Sequence, residues 1–319
     1  MTVCVAALVS GGSCIICVAD KALSFGEYIQ WDSDTTKIIP LSSRRAVLMV
    51  SGGENSSRVI SSLLSSEERG DDVSISTRTI EKIYQQCFDE VLEIKFIKQN
   101  GLTRDRYLDA VSSGQLNRHI EHIADKIAKF NLDVDILICG YDNSEIPHPF
   151  LLSVTSPGQV VDVSREGFHA IGSGYDHAVA RLLFQGHERT HTLSQGLYGC
   201  FDAKAHAELA SSVGYEWNAY FVTSDGIVSI EDETRQLIER VWARSNKTPF
   251  YKRKPDDLPG PPRDWRARLS IQVGKSLERI GILSLGEGVV VINPQPKQPA
   301  WLSRQSTKVD QSHQPPSQE

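Results

Sequence analysis

The 319-residue chain is 40% hydrophobic and 23% charged, ordinary globular proportions for one large domain or two small ones, with a formal net charge of -6. That acidic balance argues against a nucleic-acid or membrane-surface partner, and no apolar run approaches the ~18 residues that span a bilayer. The apolar start carries no leading basic residue and is split by Gly11-Gly12, so it reads as folded structure rather than a signal peptide, and a cytoplasmic protein is expected.

In chain order, residues 3–9 and 13–19 read as the strands of a β-hairpin turning through Ser10-Gly11-Gly12. Both are almost continuously apolar, which predicts a sheet buried on both faces. Cys14 and Cys17 form a C-x-x-C within the second strand, but residues three apart on a strand face opposite ways. They read as reduced, small hydrophobes, like the other four scattered cysteines. Residues 37–41 and 46–50 predict a second strand pair, ended by Ser51-Gly52-Gly53. Apolar spacing predicts helices over 55–65, 79–99 and 108–130. Strands follow at 134–141, 150–155, 159–163 and 168–171, then helices at 175–184 and 201–213. Strands at 217–223 and 226–230 and a helix at 231–243 complete the pattern. Strand runs separated by helix runs predict an α+β fold with sheets between helix layers, not a doubly wound one. The domain is expected to cover 1–244. A Pro-, Lys- and Asp-rich linker and small extension would cover 245–292, and a disordered Pro-, Gln- and Ser-rich tail 293–319.

The chemistry begins at Met1-Thr2. Removal of Met1 would leave a free amine beside the Thr2 hydroxyl, and an α-amine with a pKa of about 7.7–8.0 can serve as that hydroxyl's base. Met-Thr alone means little. Its context adds Asp20 at the end of the return strand and Lys37 at the start of the next. An ammonium held by a carboxylate would favour the alkoxide. Ser51-Gly52-Gly53, between strand and helix, could present backbone N–H groups as an oxyanion hole.

These features, taken with Val18-Ala19-Asp20, Thr36-Lys37-Ile38-Ile39, Ile138-Cys139-Gly140-Tyr141-Asp142, Ala170-Ile171-Gly172-Ser173-Gly174-Tyr175 and Trp217-Asn218-Ala219-Tyr220-Phe221-Val222, resemble proteasome β subunits and the related HslV peptidase. The resemblance runs in order over about residues 2–242. It implies a four-layer αββα sandwich of the N-terminal-nucleophile (Ntn) hydrolase type. It implies Thr2 as nucleophile, Asp20 and Lys37 as the activating pair, Gly52 N–H as oxyanion donor, and Ser173 and Gly174 beside the Thr2 amine. Ser24 would bond an extended substrate and Val50 would line its first specificity pocket. It further implies a threonine-type peptidase without cofactor, acting on peptides or unfolded protein. Such a chain would assemble as a homo-oligomeric ring, fed by an ATP-dependent unfoldase. One departure stands out. Where the family has an Asp, and a Ser three residues later, a gapless alignment puts Ala210 and Val213. Ser211 and Ser212 are near, and Glu208 is the nearest carboxylate. This departure favours the alternative of a catalytically silent structural subunit. A third alternative, a zinc hydrolase, comes from His187-Glu188-Arg189-Thr190-His191, which needs both histidines on one helix face. His119 and His122 read as a solvated helix face.

Overall fold

The computed structural model describes residues 2–25, 29–32, 36–41, 45–53, 55–68, 76–114, 118–210 and 213–245. The expected linker, extension and tail lie outside them, as do Ser211 and Ser212. The first hairpin forms as read: β1 Cys4–Val9 and β2 Cys14–Asp20 pair with Cys4 opposite Ala19. Ser10, Gly11 and Gly12 all have positive φ, so two glycines in the turn meet a conformational need. Two strands that the sequence pattern did not reveal follow, β3 Ala22–Phe25 and β4 Ile29–Asp32, paired as a small sheet of their own. Next come β5 Ile38–Pro40, β6 Ala46–Gly52, α1 Ser56–Glu68 and α2 Thr77–Leu92.

The helix expected over 108–130 is two helices, α3 Arg104–Ser112 and α4 Arg118–Ala128. Gly114, at φ 69°, lies past the end of α3 in a conformation that a continuous helix does not contain. Then follow β7 Val134–Tyr141, β8 Pro149–Thr155, β9 Gln159–Asp162, β10 Phe168–Ile171 and α5 Tyr175–Phe184. A second correction concerns the helix expected at 201–213. It is α6 Leu193–Ala207, starting eight residues earlier, and Thr192 and Gln195 cap it reciprocally. The chain closes with β11 Trp217–Thr223, β12 Gly226–Ser229 and α7 Asp232–Ser245.

The mixed helix-and-sheet content agrees with the sequence expectation. Two five-stranded sheets carry the fold, ordered β10-β1-β2-β11-β12 and β5-β6-β7-β8-β9. Strand alternation divides their side chains among three buried clusters. Val3, Val5, Ala7 and Val9 pack with residues of α5, α6 and α7. Cys4, Ala6 and Leu8 point the other way, into a cluster shared with Val47, Met49, Leu137 and Cys139 of the second sheet. On that sheet's remaining face Leu48, Val50, Ile136 and Ile138 pack with Val59 and Leu63 of α1 and Ile80 and Tyr84 of α2. Burial on both faces explains the unbroken apolar runs, and each fully buried Val, Leu, Ile or Met side chain among them contributes about 1.5–3 kcal/mol. Cys14 and Cys17 fall in different clusters, on opposite faces of β2. All six cysteines are buried and unpaired, and burial pushes the Cys4, Cys14, Cys17 and Cys200 thiols well above their usual range.

Candidate active site

Thr2 immediately precedes the first sheet, and its alternation with Cys4 and Ala6 turns it toward the space between the sheets. It is 4% exposed. Asp20 ends β2 and is fully buried. A buried carboxylate is tolerated only when its oxygens are satisfied, and here each takes two donors. Oδ1 accepts Val3 N–H at 2.9 Å and Lys37 Nζ at 2.9 Å. Oδ2 accepts Ala22 N–H at 3.2 Å and Gly214 N–H at 3.1 Å. Asp20 thus ties the start of β1 to the end of β2 and to the turn before β11.

Lys37 lies just before β5, and its carbonyl accepts Val50 N–H at 3.4 Å. Thr36 anchors the same stretch by accepting Asn218 Nδ2 at 2.6 Å from β11. Nζ, held by Asp20, donates to Thr2 Oγ1. The three residues picked from the sequence, 18 and 35 positions from the first to the others, therefore form one connected unit of hydroxyl, ammonium and carboxylate.

The Gly172-Ser173-Gly174 turn closes the other side of Thr2. Thr2 N–H donates to Ser173 Oγ at 3.3 Å, and Gly174 N–H donates to Thr2 O at 3.4 Å. Gly172 has φ 95°, and a Cβ there would lie 2.2 Å from Thr2 O and 2.7 Å from Ser51 Oγ. Only glycine fits that position. Gly52 is equally constrained: φ is 142°, and a Cβ would lie 2.3 Å from Asp133 O. It ends β6 on an exposed edge next to buried Ser51. Val50, one residue further back, faces the core beneath α1 and α2 and is 6% exposed. Ser24 lies in β3 opposite Gln30, and its side chain is outside the described residues.

Two side chains beside this unit escaped the sequence reading, which used Ser51 only for its backbone. Ser51 and Asp135 are register partners on β6 and β7. They continue the rows Val47-Met49 and Cys139-Leu137, whose side chains fill the space between the sheets. Polar residues at the end of two such apolar rows are the signal that marks them. Burial, and next the nearby Asp133, push the Asp135 carboxyl above the usual range.

Glu208, the nearest carboxylate to the alignment gap, does not serve Thr2. It follows α6, is 3% exposed at its side chain, and is bound by fully buried Lys204 at 2.6 Å. Lys204 also donates to Tyr215 O at 2.7 Å. Ala210 packs at the edge of the core between the first sheet and α5–α7. The His187–His191 segment forms a turn between α5 and α6 rather than a helix. His187 Nε2 lies 3.1 Å from Leu8 O, and its ring meets those of His191 and Phe168 edge-on. Burial lowers the His187 pKa. The pair lacks the shared helix face that a zinc H-E-x-x-H requires, and among the described residues no group of three His, Cys, Asp or Glu side chains could hold a metal. No described helix is long and apolar enough to cross a membrane.

No protein-family model matches the sequence, and no curated protein matches it. Among solved structures, the chain is similar to eukaryotic HslV from Trypanosoma brucei, at TM-score 0.44 and 13% identity, over 70% of this chain and 99% of that one.

Proposed function

We propose that the chain is a threonine-type amide hydrolase in which Thr2, exposed as the N-terminus by removal of Met1, is the nucleophile. The observation that carries this reading is the Lys37 ammonium, which donates to Thr2 Oγ1 while Asp20 holds it at 2.9 Å. A hydroxyl needs both an acceptor for its proton and a means of stabilising the charge left behind. The freed amine supplies the first, as an α-amine with a pKa of about 7.7–8.0. Lys37 supplies the second, and Asp20 fixes its direction.

In the reaction Thr2 Oγ attacks the scissile carbonyl carbon and its proton passes to the Thr2 amine. The oxyanion that forms takes the Gly52 N–H as donor. Collapse breaks the C–N bond, the leaving nitrogen takes the proton, and an ester to Thr2 remains. Water, deprotonated by the same amine, then attacks the ester and releases the acid. Ser173 and Gly174 position the amine. On the resemblance, Val50 borders the first side-chain pocket only by its 6% exposed edge, since its body packs beneath α1 and α2, and Ser24 offers backbone bonds to an extended peptide.

The three clusters support a four-layer αββα arrangement over 1–244, with 245–292 and 293–319 as appendages. On the resemblance stated above, peptides or unfolded chains are the substrates, a homo-oligomeric ring is the assembly, and an ATP-dependent unfoldase is its feeder, in the cytoplasm. A second reading, a silent structural subunit of the same fold, is favoured by one observation: Ala210 carries no carboxylate and Glu208 is bound to Lys204.

Intact mass first establishes whether the chain begins at Thr2. Treatment with a Thr-directed β-lactone then reads the nucleophile. One adduct on the wild type and none on Thr2→Ala is the expected result. A chain that begins at Thr2 and takes no adduct is the silent subunit.

A further inference from the structure

We infer that Asn218 is a positioning residue of the Thr2 site: from β11 of one sheet it clamps the Thr36-Lys37-Ile38 stretch that leads into the other, and so fixes where the Lys37 ammonium stands. This rests on the reading of Thr2 above.

The backbone of Lys37 lies at a sheet edge. β5 is three residues long and, among the described residues, pairs only with β6. At Lys37 the bond to β6 is long, from Val50 N–H to Lys37 O at 3.4 Å. An ammonium that must meet both Asp20 and Thr2 thus ends a long side chain whose backbone the sheet holds weakly.

The Thr36 hydroxyl supplies what the ladder lacks. Its Oγ1 accepts the Ile38 N–H at 3.1 Å and donates to Ile38 O at 3.1 Å, so it spans Lys37. That uses its one proton, so the group of the Asn218 amide that meets it at 2.6 Å is the NH2. Alternation along β11 puts Trp217 and Ala219 in the helix-side cluster and turns Asn218, with Tyr220 and Val222, toward the second sheet. The Asn218–Thr36 bond therefore crosses from the first sheet to the stretch that leads into the second.

β11 also holds the other member of the activating pair. Trp217, the residue before Asn218, is the register partner of Asp20, and the Gly214 N–H donates to Asp20 Oδ2 at 3.1 Å. One strand and its leading turn thereby grip the carboxylate and, one residue on, the backbone that carries the ammonium. The 2.9 Å contact of Lys37 with Asp20 is gauged from β11. Asn218 is not placed there for its own satisfaction, because its Oδ1 is buried and meets no donor among the described residues. A buried acceptor left unpaired costs stability, and what the amide contributes in return is the NH2 on Thr36.

The test compares wild type, Asn218→Ala, Thr36→Val, their double variant and Thr36→Ser in the full chain with Met1 removed. β-Lactone acylation of Thr2, followed by intact mass over a range of lactone concentrations, gives the saturating rate and the half-saturating concentration. Asn218→Ala and Thr36→Val are each expected to lower the saturating rate about 10- to 100-fold, the scale of an ångström-level misplacement, with the half-saturating concentration within about twofold of wild type. The double variant should be within about threefold of the slower single variant, because both changes remove the same clamp. Thr36→Ser keeps the hydroxyl and should acylate within about threefold of wild type. Thermal unfolding identifies any variant that fails to fold. If Asn218→Ala is one, Thr36→Val against Thr36→Ser decides, since both leave Asn218 in place, and equal rates in that pair overturn the inference. A wild-type saturating rate in folded Asn218→Ala, or losses in the two single variants that multiply in the double, would overturn it too and leave the Thr2 reading standing. A wild type that begins at Thr2 and is never acylated overturns both.

Discussion

Two buried carboxylates organise this molecule, and they differ in what their partners are free to do. Asp20 is fully buried, and three of its four donors are backbone N–H groups. The fourth is Lys37, whose ammonium reaches onward to a hydroxyl. Asp202 on α6 is 1% exposed and meets Arg181 at 2.7 Å, Trp242 Nε1 at 2.5 Å and the Gln185 side-chain amide. His206 Nδ1 lies 3.2 Å away. Arg181 and Gln185 belong to α5 and its end, and Trp242 to α7, so Asp202 binds three helices together behind the first sheet. No nucleophilic side chain is among these partners. Burial of a charge is common to both sites. What separates a candidate active site from a structural knot is a cation that hands its proton donors to a nucleophile.

Substituting the cation is the sharpest way to break the comparison. Lys37→Met should lower the acylation rate of Thr2 by about 10³-fold, the scale of losing one charge-stabilising donor. Asp20 keeps its three backbone donors, so the cost in stability should stay at about 1–3 kcal/mol by urea unfolding. Acylation at the wild-type rate would remove Lys37 from the mechanism.

Asp202→Ala should show the reverse pattern. It leaves buried Trp242 Nε1 without its acceptor and removes the partner of the partly exposed Arg181 and Gln185, a loss of about 3 kcal/mol in stability. Acylation by the folded fraction should stay within about twofold, because distant sites with no shared partners act almost independently. A large fall in acylation at full folding would show that the helix layer controls the site.

Gly172→Ala comes next in size. The new Cβ meets Thr2 O, and the residue must hold φ 95°. The expected cost is about 1–3 kcal/mol, with slower acylation because the turn must move away from Thr2. An unchanged acylation rate would mean that the turn does not position the nucleophile.

The same contrast explains what was legible in the sequence. Strands β7, β10 and β11 could be bounded to the residue because their apolar runs stop abruptly at turn residues. Helix α6 was misplaced because Gly196 and Gly199 argue against a helix. Gly196 is there for packing: a Cβ would lie 2.3 Å from Val9 Cγ1, so glycine lets the helix approach the sheet. Tertiary contact overrides local propensity. At the site, Asp20 and Lys37 could be picked out because they flank strands already read near Thr2. The side chains of Ser51 and Asp135 stand out only as polar ends of apolar rows and could not be placed at the site, because what brings them there is the register of β6 on β7 and the packing of one sheet against the other. Periodicity within one strand carries no information on either.

The smallest effect is on acid stability, and it concerns Asp202. Burial alone would raise the Asp202 carboxyl, but hydrogen bonds from His206, Arg181 and Trp242 outweigh it and leave the group below its usual range. In the unfolded chain an Asp titrates near about 3.9, so below that pH the unfolded state binds the extra proton first. The contribution of Asp202 is thus fully present above about pH 4 and is lost as pH falls through its folded value. Asp202→Asn carries no such proton. Urea midpoints for wild type and Asp202→Asn should therefore differ by a constant amount between about pH 5 and 7 and converge as pH falls below about 4. A gap that stays constant into strong acid would mean that Asp202 is not held charged by its donors. The helix knot would then be a set of neutral hydrogen bonds, and its contrast with the Asp20–Lys37 pair would rest on charge itself and not on what the charge is bound to.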